Sequence, residues 1–293
     1  MDLSQTDYSS IIIETINSIF STLFSSIDNS LYSLLDELAF TDSSIINDSF
    51  FEKILGTSYS FGIVSLANSM LIGAVLYYCY KLLLSGYTAT NIEKPYQFLF
   101  KTLIFAICIN SSQFLCLQII WINTLLSDGI REIGTYLFNT EISFNSLISQ
   151  MTYISATDNF TLFSFDGIIK CFISVGLMNL VFSYSLRYIM IKVFILLSPF
   201  AFLSLINNST SWFFKSWLRN FISLLLIQSL ISLILLIIFS INSSSSDVLS
   251  QLLYLGGIYA LSKANHYIRE IIGGISTDIS TNVNVLKSLI KGG

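Results

Sequence analysis

From Ile54 to Tyr80 the chain runs 27 residues without one charged side chain, bounded by Lys53 and Lys81. About 20 apolar residues suffice for a helix to cross the hydrocarbon of a bilayer, so this stretch dictates the solvent in which the chain folds. A second uncharged run of 26 residues follows from Thr102 to Ser127. Composition agrees, with 53% hydrophobic and 11% charged residues and a mean hydropathy of +0.72, against about 25% charged in soluble domains. A charge at the centre of a bilayer costs roughly 2.5–3.5 kcal/mol, and the charges here are accordingly bunched between the apolar blocks. These features predict an all-α integral membrane protein with about five transmembrane helices and flanking amphipathic helices at both ends.

Charge position divides the chain into three parts. Residues 1–53 hold nine acids and no base before Lys53, which predicts an extracytoplasmic segment, because Lys and Arg gather on the cytoplasmic side. Within it Ile12, Ile16, Ile19, Phe20, Leu23, Ile27, Leu31, Leu34 and Leu38 recur at steps of three and four, the spacing of one helical face. Such a helix lies on a bilayer, packs on a partner, or covers its own protein. The opening Met-Asp-Leu-Ser lacks the basic start of a cleavable signal peptide, so insertion is expected to rely on the internal spans. Residues 54–262 form the polytopic membrane domain, with a basic loop (Lys81, Lys94, Lys101) inside and an acidic helical loop, 128–166, outside. Residues 263–293 are expected to be a cytoplasmic amphipathic tail with Lys263, Arg269, Lys287 and Lys291.

A third span runs from Gly167 to Leu186 and ends at Arg187 and Lys192; beyond it two topologies remain open. In one, Tyr188–Ile206 crosses outward and Phe221–Ile241 returns. In the other, the Ser198-Pro199 segment is broken or re-entrant, Phe221–Ser240 goes out and Val248–Ser262 comes back. Both place the N-terminus outside and the C-terminus inside.

The sequence contains no G-x-x-x-x-G-K-[ST] cradle for phosphates, no H-E-x-x-H, no G-x-S-x-G and no carboxylate pair at a span centre, so neither an ATPase nor an intramembrane protease is expected. No enzyme activity, cofactor or metal site is expected. His266 is the only imidazole, and Cys79, Cys108, Cys116 and Cys171 show no C-x-x-C spacing. Polar residues inside the spans, including Asn68, Asn110, Gln113, Gln118, Asn179 and Gln228, serve as interhelical glue or line a hydrated path. Asn110–Gln113 is the best candidate for such a path, because four successive polar residues cannot share one helix face. Ser69-x-x-x-Gly73 and Gly256-x-x-x-Ala260 are steps that allow close helix approach. Pro199 removes a backbone donor and frees a carbonyl, which needs a partner such as Ser198. Trp212, Lys215, Trp217 and Arg219 read as an anchor belt at headgroup level.

The segment from Arg187 to Gln228 reads RYIMIKVFILLSPFAFLSLINNSTSWFFKSWLRNFISLLLIQ. It resembles the VirB6/TrbL family of conjugative type IV secretion systems: an Arg-bearing helix, a Ser-Pro-aromatic-Ala turn, a small polar loop, a Trp-basic cluster and a long apolar helix. The parts correspond to Arg187, Ser198-Pro199-Phe200-Ala201-Phe202, Asn207–Ser211, Trp212 with Lys215, Trp217 and Arg219, and Phe221–Gln228. The resemblance implies a channel or scaffold subunit in the bacterial inner membrane. Its partners would be the lipid bilayer, copies of itself, and other secretion subunits including ATPases and bitopic membrane proteins. Transient contact with the translocated DNA or protein is implied as well. The candidate channel or assembly residues are Asn110, Gln113, Arg187, Lys192, Ser198, Pro199, Trp212, Lys215, Trp217, Arg219 and Gln228. A small-molecule transporter and a holin-like pore are the rival readings; the former usually has inverted repeats with paired broken helices, and only the Pro199 region looks broken.

Overall fold

The computed structural model describes residues 11–12, 14–16, 18–19, 29–46, 49–56, 61–88, 93–150, 165–241 and 248–272, and every regular element among them is a helix. In chain order these are α1 (Asn29–Ala39), α2 (Ser49–Leu55), α3 (Ile63–Thr88), α4 (Pro95–Asn110) and α5 (Ser112–Phe138), then α6 (Phe144–Gln150), α7 (Phe165–Leu203), α8 (Ser211–Phe239) and α9 (Val248–Ile272). Short 3-10 turns lie at Ser43–Ile46 and Ser204–Ile206. Among the described residues, Ile63–Tyr87, Ser112–Phe138, Cys171–Ile206 and Ser211–Phe239 are long and apolar enough to cross a membrane. The chain is a multi-pass α-helical membrane protein.

Local chemistry sets the helix ends. Pro95 occupies the first turn of α4 after an extended Lys94 (ψ 139°), where its missing N–H costs nothing. Asn139 ends α5 in the left-handed region (φ 53°), its N–H donating to Thr135 O, a conformation that asparagine tolerates better than most residues.

The division into crossings differs from the sequence expectation in three places. Thr102–Ser127 is not one helix, because Ser111 (φ −98°, ψ 12°) separates α4 from α5. Asn110 Nδ2 donates to Ala106 O (2.8 Å) and Ser111 Oγ to Ile107 O (2.5 Å), the competition with the backbone ladder that short polar side chains offer. From there α5 runs on to Phe138, so Asp128, Arg131 and Glu132 of the expected external loop belong to the same helix. Next, Gly167–Leu186 and Tyr188–Leu203 lie on one uninterrupted helix of 39 residues that continues through both Arg187 and Pro199. Such a helix is roughly 58 Å long at about 1.5 Å per residue, against about 30 Å of hydrocarbon, so α7 is far longer than one upright crossing requires. Finally, α9 continues past Ser262 to Ile272, so Lys263 and Arg269 extend a packed helix; the rest of the expected tail, 273–293, lies outside the described residues.

The core is built on the antiparallel pair α7 and α8. Arg187 bonds Leu224 and Trp217 bonds Phe194 across it. On the other side α5 runs parallel to α8, with Ser127 against Ser232 and Phe138 against Phe239. Along both, α9 returns: a Cβ on Gly257 would lie 2.6 Å from Ile238 Cδ1, and one on Gly176 of α7 2.7 Å from Ile258 Cγ2. Close approach thus uses these two glycines and Gly134 of α5, which faces Leu236 of α8, and not the expected steps, since Gly73 and Gly256 have open space where a side chain would go. The hairpin of α3 and α4 leans on the C-terminal third of α7 through Ala67, Ile109 and Phe202.

The later part of the predicted N-terminal helix, α1, covers its own protein, whereas Ile12 and Ile19 of the predicted face are more than half exposed. Tyr32, Leu35 and Ala39 of α1 are buried in the main core and Leu38 of the predicted face packs against it, while Leu34 of that face is 42% exposed. Residues 20–28 of that predicted helix lie outside the described residues. Asp36 on α1 accepts from the N–H groups of Phe144 (2.8 Å) and Asn145 (3.2 Å), capping α6. Burial nevertheless pushes its carboxyl above the ordinary value, outweighing those two hydrogen bonds. Beside it Arg131 joins the end of α1 to the stretch after α5, over the Phe40 ring (4.4 Å), 3.0 Å from Glu141 and donating to Ile142 O (2.9 Å).

Candidate functional site

Arg187 sits midway along α7 and is 1% exposed. Its Nε donates to Leu224 O of α8 (2.8 Å), Nη1 to Ala39 O (2.8 Å) and Leu38 O (3.4 Å), and Nη2 to Thr41 Oγ1 (3.2 Å) and Gln228 Oε1 (3.5 Å). Every one of these acceptors is neutral. A guanidinium out of water is costly unless its donors are met, and two features meet that cost here. The planar fork reaches two helices and the Thr41 connection at once, and two of its targets are the last carbonyls of α1, the negative end of that helix dipole. The arginine is in effect the C-cap of a helix 148 residues away in sequence.

Around it lies a polar layer between α5, α7 and α8. Asn123 Nδ2 and Thr41 Oγ1 both donate to Gln228 Oε1 (3.4 and 3.5 Å), and Ser229 Oγ donates to Asn123 Oδ1 (3.4 Å). Thr124 Oγ1 donates to Ile120 O (3.0 Å), and the hydroxyls of Ser127 and Ser232 meet at 2.7 Å. Gln228 Nε2 and Tyr184 OH are buried in this layer with no protein partner. Gln228 Oε1 is shared by three donors at long distances, so the layer is polar but loosely satisfied.

One level further along α7 lies a second cluster. Pro199 has no N–H for Ile195 O, and Ser198 Oγ donates to that carbonyl at 2.7 Å. Trp217 Nε1 donates to Phe194 O at 2.8 Å, and its ring stacks on Phe221 (5.4 Å, 12°) beside Phe202 and Phe214. This corrects the anchor-belt reading for Trp217, which is 3% exposed and seals the core, whereas Trp212 is 66% exposed. The reason is helical phase: Phe214, Trp217 and Phe221 share the face turned to α7, and Trp212, Lys215 and Arg219 fall outside it.

The structure therefore brings together Arg187 with Gln228, and Ser198 and Pro199 with Trp217. Lys192 is half-buried, 5.1 Å over the Tyr188 ring. Lys215 and Arg219 are exposed. Asn110 forms a reciprocal amide pair with Asn68 of α3 (3.0 and 3.3 Å), and Gln113 is half-buried just beyond the helix break. Thr41, Asn123, Thr124, Ser127 and Ser232 were not anticipated. A signal existed: Asn123 with Ser127, and Gln228 with Ser232, stand four apart on otherwise apolar helices, one face each.

Among the described residues no group of three potential metal ligands converges, and the four cysteines are free thiols. Compared with known proteins, the chain matches no family model, no curated protein and no solved structure.

Proposed function

We propose that this chain is a channel or scaffold subunit of a type IV secretion machine for conjugative DNA transfer, of the VirB6/TrbL kind. In this reading it resides in the bacterial inner membrane, N-terminus outside and C-terminus in the cytoplasm, beside the ATPases and bitopic subunits that supply energy and connection. The observation that carries the reading is the Arg187–Gln228 segment. Its two ends meet at 3.5 Å, and its Ser-Pro pair, which lies within the continuous helix α7, and its Trp-aromatic cluster form the sealed contact of α7 with α8. The stretch that bears the resemblance is thus the part on which the bundle is built.

Arg187, Asn123 and Gln228 are closed off between helices of one chain. A passage wide enough for a polymer would accordingly run between copies, with each subunit acting as a rigid wall. Deleting the gene in its host is expected to abolish conjugation while relaxase nicking continues; normal transfer from the deletion strain would refute the proposal. Permeabilisation of cells by the chain expressed alone would favour a holin-like pore instead.

A further inference from the structure

At the end of the bundle where Lys81, Lys94 and Lys101 gather, α3, α4 and the connection from α7 to α8 enclose a half-open recess of about 290 Å³. Half of its wall is formed by Ala74, Tyr77, Tyr78, Phe98 and Ile206, and Tyr78 lies flat on Phe98, ring centres 3.7 Å apart. The other half is polar, formed by Lys81, Glu93, Asn207, Asn208 and Ser209.

The polar half offers donors. Glu93 is taken by Lys101, whose Nζ lies 3.7 Å from its Oε1 and donates to Asn208 Oδ1 at 3.3 Å. Asn207 Oδ1 accepts the N–H of Ser209 at 3.2 Å. Both amide oxygens are thus committed, which leaves their NH2 groups as the free functions. Lys81 adds a positive charge that no carboxylate of the described residues pairs with. With Glu93 offset by Lys101, the surplus of donors plus one cation without a carboxylate partner suits an anion with several acceptor oxygens.

The surroundings specify which anion. Tyr77 and Lys81 belong to α3, and the same side of this membrane-crossing helix carries Leu66 and Met70, each more than 50% exposed. Bases and tyrosines at the end of such a face stand at headgroup depth.

We propose that this recess binds the phosphate diester of an anionic phospholipid, held by Lys81, Asn207 and Asn208 with the acyl chains lying along the side of α3 that carries Met70 and Leu66. The site stands independently of the secretion reading. Delipidated full-length protein in neutral detergent, titrated with phosphatidylglycerol, phosphatidylcholine or inorganic phosphate, tests it through the thermal midpoint and native mass spectrometry. Phosphatidylglycerol is expected to raise the midpoint and remain bound, while the other two do neither. Lys81→Gln and Asn207→Leu should each weaken phosphatidylglycerol at least fivefold, and Arg219→Gln, which removes an exposed base outside the recess, should leave binding within twofold. Equal shifts with phosphatidylcholine, or unchanged binding in both recess variants, would overturn the site. An equal shift with inorganic phosphate would overturn the lipid assignment in favour of a soluble phosphate. Lys81→Arg, which keeps the charge, must bind within twofold of the native chain.

Discussion

The pair α7–α8 and the hairpin α3–α4 are both apolar in sequence and use their side chains in opposite ways. Across α7 and α8 the interior holds Arg187, Gln228, Ser198 and Trp217, all buried and bonded to backbone or to one another. Along α3 and α4 large apolar side chains such as Leu76, Tyr80, Leu99 and Phe100 are exposed, and the helices meet through a few contacts, the Asn68–Asn110 amide pair and the Tyr78–Phe98 stack. In lipid there is no hydrophobic drive to bring helices together. Directional hydrogen bonds and close packing decide which apolar helices face protein and which face the bilayer.

Substitutions that remove direction from α7–α8 should therefore cost much more than larger apolar losses on α3. Arg187→Ala strips partners from the ends of α1 and from Thr41 and opens a void, and is expected to cost roughly 3–5 kcal/mol. Thermal unfolding in detergent measures it, and faster proteolysis within α1 should accompany it. Arg187→Lys should recover only part of that loss, because a point charge cannot span two helices and the Thr41 connection. Trp217→Phe keeps a ring but loses the indole hydrogen bond to Phe194 O, for about 1–2 kcal/mol. Asn110→Leu should lose about 0.6–1.7 kcal/mol, the range for polar pairs between membrane helices. Leu83→Ala, on the exposed face of α3, should stay within about 0.5 kcal/mol; a loss as large as that of Arg187→Ala would end the comparison.

The smallest effect concerns pH. The folded carboxyl of Asp36 lies above its ordinary value because burial outweighs its backbone hydrogen bonds. The folded state therefore holds its proton to higher pH than the unfolded chain does. Stability from this group falls as pH rises from the ordinary carboxylate value through the raised one, and is level above it. Asp36→Asn should flatten that slope in a melting series across the acidic range, and an unchanged slope would assign it elsewhere.

Much of the architecture was legible because the rule behind it is local. Uncharged runs bounded by Lys53, Lys81 and Arg187 mark the apolar blocks, and Pro199 with Ser198 announces a carbonyl that needs a donor, since both follow from one residue and its neighbours. Less legible was where helices stop. Ser111 breaks a run that hydropathy alone reads as one span, while Arg187 and Pro199 fail to break one that they mark as divided. A buried arginine reads like a boundary until its acceptors are known, and those acceptors lie on α1, which is remote in sequence.

What this sequence determined alone was the medium and the secondary structure, because the cost of placing charge and unpaired backbone in lipid is paid residue by residue. Only the tertiary structure decided that Arg187 caps α1, that Gln228 meets Asn123, that Trp217 is interior and that Gly257, not Gly256, lets helices close. Those outcomes depend on rotational phase and register between segments up to 149 residues apart, and no local pattern carries that information.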